Sequence, residues 1–177
     1  YGSKEFLILT YTPNEGMVTD SSINNLLSLK YKIQSLDWVH SVITLLDVPL
    51  LNSTDTPLQE RLQSFKTLKD EDIDKERGFK EILNSPVFRN FVISEDGKTS
   101  GIIVNIKKQK EIKDVSKKSK KEIEVFREEI KKQNHKNIVE IRNVIKSYED
   151  IGKIHLGGIP MIADDMMSFI KSDIIIF

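Results

Sequence analysis

Three histidines are the side chains of this chain best suited to acid–base chemistry or metal binding: His40, His135 and His155. They form neither an H-E-x-x-H pattern nor a His-x-His pair. His155 precedes Asp164 and Asp165 by nine and ten residues, which allows a metal site. A simpler interpretation places both carboxylates at a helix N-terminus, where they face the positive end of the dipole. The sequence therefore predicts no metal-binding residue.

Nucleophilic and phosphate-binding motifs are also missing from the sequence. Ser94 and Ser100 flank a predicted turn, and no G-x-S-x-G elbow surrounds either of them. Gly157 and Gly158 precede Ile-Pro rather than Lys-Thr, so they serve tight backbone geometry and not a phosphate loop. We expect a protein that is not an enzyme, with no catalytic or cofactor-binding residue. Substrate-binding residues are not identified at this stage.

The composition of the chain excludes several further classes. Its 177 residues contain 27 Lys+Arg, 27 Asp+Glu and no Cys, so neither a basic nucleic-acid-binding chain nor a disulfide framework is expected. A Lys-rich stretch at 107–121 lacks interleaved aromatic residues, which favours a solvated helix face or linker over binding to anions. Met161, Met166 and Met167 lie near the end, where packing is favoured over an adaptable binding surface.

The first half of the chain predicts a β-α-β unit followed by a helical insert. Residues 6–11 are apolar and β-prone, and Thr19 or Asp20 caps a helix with apolar residues at helical spacing up to Leu36. A second strand is predicted over 39–46. Residues 56–59 (TPLQ) have the form of a capping box with Pro at the first helical position, and two short helices are predicted over 57–83.

The second half predicts a hairpin, a long helix, a strand and a last helix. Asp96-Gly97 separates β-prone runs at 87–94 and 99–106. A long helix then reaches about Tyr148, with a bend expected at 133–135, and a strand over 153–156 precedes a helix that starts at Asp164 or Asp165. The fold class is α+β, a ferredoxin-like split β-α-β domain (β-α-β, helical insert, β-β-α-β) with a mostly antiparallel sheet.

The helices are expected on one face of this sheet, leaving the other face free for a partner. We divide the chain into a first β-α-β unit at 1–50, a helical insert at 51–86 and a final part at 87–177. These parts are expected to form one domain or two subdomains. The apolar run at 170–177 fits either a buried last element or the root of a transmembrane helix.

Three segments in order resemble the large loop after the first transmembrane helix of exporters of the resistance-nodulation-division (RND) superfamily, MMPL-type branch. The first joins residues 6–9 (FLIL), a helix, 37–45 (DWVHSVITL) and Val48-Pro49. The second runs from 85–88 (SPVF) to 91–98 (FVISEDGK) and is similar to that family's S-x-D-G hairpin. The third, 154–162 (IHLGGIPMI), resembles the segment that leads into the second transmembrane helix. Residues 170–174 (IKSDI) stand where that family's segment reaches the membrane helix.

The resemblance implies a proton-driven inner-membrane exporter of lipids or other amphiphiles. This chain would be its periplasmic, extracytoplasmic porter domain between the first and second transmembrane helices, forming part of the substrate path. Its implied partners are the rest of the transporter, including a second periplasmic loop, further copies in a homo-oligomer, and a hydrophobic or amphiphilic substrate, but no nucleic acid. The proton-carrying carboxylates would lie in membrane helices outside this sequence.

Two other classes remain as alternatives. The chain could be a stand-alone ferredoxin-like module that binds a protein or ligand through its open sheet face. It could also be a small hydrolase or metal-dependent enzyme, although the motifs above do not favour that class.

Overall fold

The computed structural model describes residues 5–52, 65–108 and 119–176, with side chains described as far as residue 170. Four strands lie at Phe6–Pro13 (β1), Val39–Ile43 (β2), Ser100–Ile106 (β3) and Gly152–Gly157 (β4). Four α-helices lie at Asp20–Gln34 (α1), Lys75–Asn84 (α2), Lys120–Lys146 (α3) and Ile159–Ile176 (α4). Short 3-10 turns follow β2 at Leu45–Asp47 and precede β4 at Glu149–Ile151.

The four strands form one antiparallel sheet in the order β2-β3-β1-β4. β1 pairs with β3 from Phe6↔Asn105 to Tyr11↔Ser100, and with β4 on its other edge. β2 and β1 run in the same direction but are separated by β3. The fold is therefore α+β, and the strand order is compatible with a ferredoxin-like arrangement. The prediction of a mostly antiparallel sheet is confirmed.

Burial alternates along the central strands, so that one face of the sheet forms the core. Leu7, Leu9 and Tyr11 of β1 are fully buried, whereas Phe6 and Ile8 between them are exposed. This period of two is the geometry of a sheet that is covered on one side. α1 and α3 pack on the buried side through apolar residues at helical spacing: Ile23, Leu26, Leu29, Ile33, Ile138, Ile141 and Val144.

The caps predicted for the first helix are found in the structure. The Thr19 hydroxyl accepts a hydrogen bond from the Ser22 N–H and begins α1 at Asp20, as expected of an N-cap. The Lys30 side chain is buried, and its ammonium donates to Asp47. β2 ends at Ile43, three residues early, because Thr44 caps the 3-10 turn at Leu45–Asp47.

The prediction of a strand at 87–94 is wrong. Asp96-Gly97 does make a turn, with the Ser94 N–H donating to Thr99 O at 2.8 Å. However, the Phe91 and Val92 N–H groups both donate to Phe88 O, which folds the first arm into turns with isolated bridges. β2 occupies one edge of β3 from Ile103 to Ile106. The 87–94 arm therefore meets only the start of β3, through the Ile93–Ser100 bridge and the Gly101 N–H, which donates to Val92 O at 2.9 Å. The sheet has four strands instead of five.

The start of the last helix also differs from the prediction. α4 begins at Ile159 and not at Asp164 or Asp165. Pro160 is tolerated in its first turn because the amide nitrogen there needs no intrahelical acceptor. The long helix α3 is confirmed and is continuous through 133–135, where a bend was expected. The capping box at 56–59 and most of the Lys-rich stretch, at 109–118, lie outside the described residues.

Candidate functional site

The histidines and serines that could have carried chemistry lie apart from one another. His40 is exposed where the pairing of β2 with β3 is irregular, and His155 is exposed on β4. His135 on α3 faces Asp164 on α4, with its Nδ1 at 3.0 and 3.2 Å from the two carboxylate oxygens. Ser100 is buried and its hydroxyl donates to Val92 O, so it is a structural residue.

The carboxylates considered as metal ligands are hydrogen-bonded to side chains of the neighbouring helix α3. Asp164 pairs with His135 and not with His155, and both oxygens of Asp165 accept from Arg142 at 2.8 and 2.9 Å. Within the described ranges, no three His, Cys, Asp or Glu side chains converge as a metal site would require. The Asp pair therefore joins α4 to α3.

A cleft with a volume of about 870 Å³ lies between α3 and α4. We call it the α3–α4 cleft. Its apolar lining comes mainly from α4, with one residue of α3: Ile130, Ile159, Ala163, Met166, Met167 and Ile170. Volumes of roughly 300–1,000 Å³ with a mostly apolar lining are typical of small-molecule sites.

Polar contacts hold α4 against α3 along this cleft. The Asn134 side-chain amide donates to Pro160 O at 2.8 Å, which fixes the first turn of α4. The His135–Asp164 and Arg142–Asp165 pairs follow within the next two turns. Asp164 is only 7% exposed, so its carboxylate is held in a largely dry position by its histidine partner. These contacts leave the apolar residues of α4 free to face the cleft or solvent.

Some charged residues of the cleft have a partner within the protein and others have none among the described residues. Glu128 accepts from Lys131 at 2.8 Å, and Asp164 is paired with His135, so both carboxylates have a partner within the protein. Lys132 also lines the cleft, and its ammonium forms no ion pair with any residue that the structure describes. Glu5 lines the cleft on the side of the sheet, just before β1.

The open face of the sheet carries a row of isoleucines. Ile43, Ile103 and Ile8 lie opposite one another on β2, β3 and β1. Ile43 and Ile8 are each 41% exposed, and Phe6 beside them is 46% exposed. The Asn105 amide donates to Ser41 Oγ on the same face. We call this set of four apolar side chains the isoleucine row.

Sequence reasoning did not find the cleft. It treated Met166 and Met167 as packing residues, whereas both line the cleft and Met166 is 59% exposed. The spacing of Ile159, Ala163, Met166 and Ile170 marks one face of a helix and could have indicated a shared surface. The partner helix α3 could not have been found this way, because its lining residues are mostly polar.

Comparison with known proteins adds no relative of this chain. A scan against protein-family models and a search of curated proteins both give no match. None of the helices described here combines the length and the apolar character needed to cross a bilayer.

Proposed function

We propose that this chain is the periplasmic porter domain of a proton-driven RND-type membrane exporter of lipids or other amphiphiles, and that it forms part of the substrate path. The observation that carries the proposal is that the start of α4, which would lead to the second membrane helix, lies beside the start of β1. Gly158, between β4 and α4, lies against the first residues of β1: a Cβ at Gly158 would be 3.1 Å from Phe6 O. A domain inserted between two neighbouring membrane helices needs its two connections close together.

The strand order supports the same proposal. The sheet is built from β-α-β units whose order is compatible with a ferredoxin-like domain, the type that the resemblance implies for a porter domain. The third resembling segment, 154–162, covers β4 and the first turn of α4. In the proposed arrangement α4 points toward the second membrane helix, and the apolar residues that it exposes would meet the membrane or the substrate.

The domain is proposed to form a wall of the substrate path and to move as a rigid body, without catalysing a reaction. Its α3–α4 cleft would form one wall of the path, and its isoleucine row would pack on the second periplasmic loop. Rigid-body rocking of the domain would then change access to the path. Proton coupling would take place in membrane helices of the intact exporter, which we expect to be a homo-oligomer.

The location of the domain can be tested by labelling cysteines in the full-length exporter. Glu15 is exposed in the loop after β1, at the end of the sheet opposite α4, so a Glu15→Cys thiol should be accessible. In a full-length background without other cysteines, a membrane-impermeant maleimide should label Glu15→Cys in intact spheroplasts. Leu26→Cys, which replaces a core residue that is 1% exposed, should be labelled only after unfolding.

Labelling of Glu15→Cys only after the spheroplasts are lysed would place the domain in the cytoplasm and refute the proposal. The gene gives an independent test. About 20 apolar residues should be encoded before and after this segment, since a helix of that length is needed to span a bilayer.

A stand-alone binding module is the second candidate, and the isoleucine row favours it. A free protein with Phe6, Ile8 and Ile43 exposed beside Ile103 would be expected to form homodimers or to capture a partner through this row. Expressed from its complete gene, such a protein would be recovered in the soluble fraction. Replacement of Ile103 by Asp would then abolish its self-association in sedimentation equilibrium.

A further inference from the structure

We infer that the docking of α4 on α3 is proton-dependent, because the His135–Asp164 contact holds α4 more firmly when His135 is protonated. The contact lies wholly within this chain. The inference therefore goes beyond the proposed function and can be tested whether or not the chain belongs to an exporter.

The attachment of α4 depends on polar contacts more than on apolar packing. Among its side chains at 159–170, only Pro160 and Asp164 are buried, and Met161 is partly buried against the core. The helix is joined to β4 through Gly158 alone, whose φ of 122° favours glycine. The contact of Asp164 with α3 is therefore a main determinant of how firmly α4 is held.

Protonation of His135 changes the charge that Asp164 meets. The two carboxylate oxygens lie 3.0 and 3.2 Å from Nδ1 of His135, and Asp164 is only 7% exposed. A neutral imidazole donates through Nδ1 in one tautomer, whereas an imidazolium adds a positive charge to the same hydrogen bond. Histidine changes its charge between about pH 5 and 8. As the pH rises, the carboxylate therefore loses its only cationic partner among the described residues.

The other charged groups around this pair keep their charge in that range, because carboxylates, lysines and arginines titrate outside it. α4 contacts α3, β1 and β4. Lys131 is engaged with Glu128 and Arg142 with Asp165, so neither cation replaces His135. The charged groups on these elements nearest the pair are Glu5 before β1, Glu128, Lys131, Lys132, Lys136, Glu140 and Arg142 on α3, Asp165 on α4, and Lys153 on β4.

Hydrogen exchange of the 177-residue chain, followed by NMR at about pH 5.5 and 7.5, tests the inference. Each rate is corrected for the intrinsic exchange rate at that pH, so that it reports the opening of the helix. Opening follows docking, because most of the stability of a protein helix comes from its packing. We expect the amides at 163–168 to be protected about fivefold less at the higher pH, the upper limit for an ion pair with one exposed partner. Amides at 138–144 in α3 should keep their protection.

Matched histidine variants assign the effect to one contact. His135→Gln places a neutral side chain opposite Asp164 at every pH, so the protection of 163–168 should become independent of pH. His155→Gln removes an exposed histidine of β4 and should retain the fivefold change. Asp164→Asn should also remove the pH dependence, and circular dichroism checks that each variant is folded.

Three results would overturn the inference. They are protection of 163–168 that does not change with pH, an equal change in His135→Gln, and loss of the change in His155→Gln. None of these results depends on where the domain lies in the cell. The exporter proposal is therefore tested separately by the labelling of Glu15→Cys.

Discussion

Asp47 illustrates how single polar residues hold this fold together. Its carboxylate accepts from Lys30, whose side chain is 9% exposed, and from Lys69 at 3.1 Å. It also accepts from the Thr44 N–H at 2.8 Å and the Thr44 hydroxyl. Burial raises the pKa of Asp47, but the hydrogen bonds from Lys30, Thr44 and Lys69 outweigh it and hold this pKa below its ordinary value. The residue thus joins α1 to the segment after β2.

Replacing Asp47 with Asn should lower the free energy of unfolding by about 2 kcal/mol, because the buried Lys30 ammonium loses its charged acceptor. The matched control is Asp72→Asn. Asp72 pairs with Lys66 at 3.1 Å, but its side chain is 67% exposed, so its loss should cost less than about 0.5 kcal/mol. Urea unfolding followed by circular dichroism measures both. Equal losses of unfolding free energy in the two variants would show that the burial of Lys30 does not increase the cost of removing its acceptor.

The stability of the chain in acid should depend on Asp47. The pKa of this carboxyl is lower in the folded state than in the unfolded state. Its contribution is therefore complete above the ordinary Asp pKa of about 4 and is lost as the pH falls through the lower, folded value. We expect the wild-type chain to lose more unfolding free energy than Asp47→Asn between neutral pH and pH values below that range. If the unfolding free energy, measured by urea titration, fell equally with pH in the wild-type chain and in Asp47→Asn, this expectation would be wrong.

At the scale of elements, α3 has two unlike halves. The helix has 27 residues, a length of about 40 Å, while β4 beside it has only six residues. The buried residues of α3 all lie within 137–144, and none lies in the first half. Only the second half packs on the sheet. The first half extends beyond it and forms one side of the α3–α4 cleft.

Ile138→Ala should lower the free energy of unfolding by about 3 kcal/mol, because Ile138 is completely buried and its loss leaves a cavity. Val139→Ala is the control: this neighbour is 41% exposed on the same helix, and the change should cost less than about 0.5 kcal/mol. Thermal or urea unfolding distinguishes them. A loss of under about 1 kcal/mol in Ile138→Ala would mean that α3 is not docked as described.

Sequence patterns identified most of these elements, because a few neighbouring residues are enough to determine each of them. The apolar alternation of β1, the Thr19 cap of α1 and the periodicity of α3 each follow from a few neighbouring residues. The strand at 87–94 was wrong because β2 takes most of one edge of β3, from Ile103 to Ile106, and leaves the arm only the first two residues of β3. Such competition is set by pairing between distant segments, and local propensity does not register it.

The candidate site could not be predicted from the sequence either, because it also depends on contacts between distant segments. The cleft exists because Asn134 and His135 of α3 meet Pro160 and Asp164 of α4, and residues so far apart in sequence give no spacing pattern. The start of α4 at Ile159 was missed because Gly157-Gly158 and Pro160 were interpreted as a break between elements. Gly157 ends β4, Gly158 follows it, and Pro160 is the second residue of the helix.

At the scale of the whole molecule, β1 is the centre of the structure. It pairs with strands on both edges and supplies three fully buried side chains, Leu7, Leu9 and Tyr11. The first half of α3 lies at the other extreme, since it contains no buried residue. Local stability should therefore differ strongly between these two regions.

Native-state hydrogen exchange should show this difference. We expect the amides of Leu7 and Leu9 to exchange at least about a hundredfold more slowly than those at 122–130, since opening β1 disrupts the sheet and the helix end opens locally. The measurement is a deuterium-exchange series by NMR at two protein concentrations. Strong protection at 122–130 that increases with concentration would instead indicate that this half of α3 packs on a second copy.

The central position of β1 also affects how the chain can fold. Its partners β3 and β4 occupy Ser100–Ile106 and Gly152–Gly157, so the middle of the sheet depends on contacts between residues that are far apart in sequence. Contacts of such long range slow folding. During synthesis β1 lacks its β4 partner until Gly152–Gly157 has left the ribosome. We expect the growing chain to have an incomplete sheet until then, and an incompletely folded chain is easier to thread across a membrane.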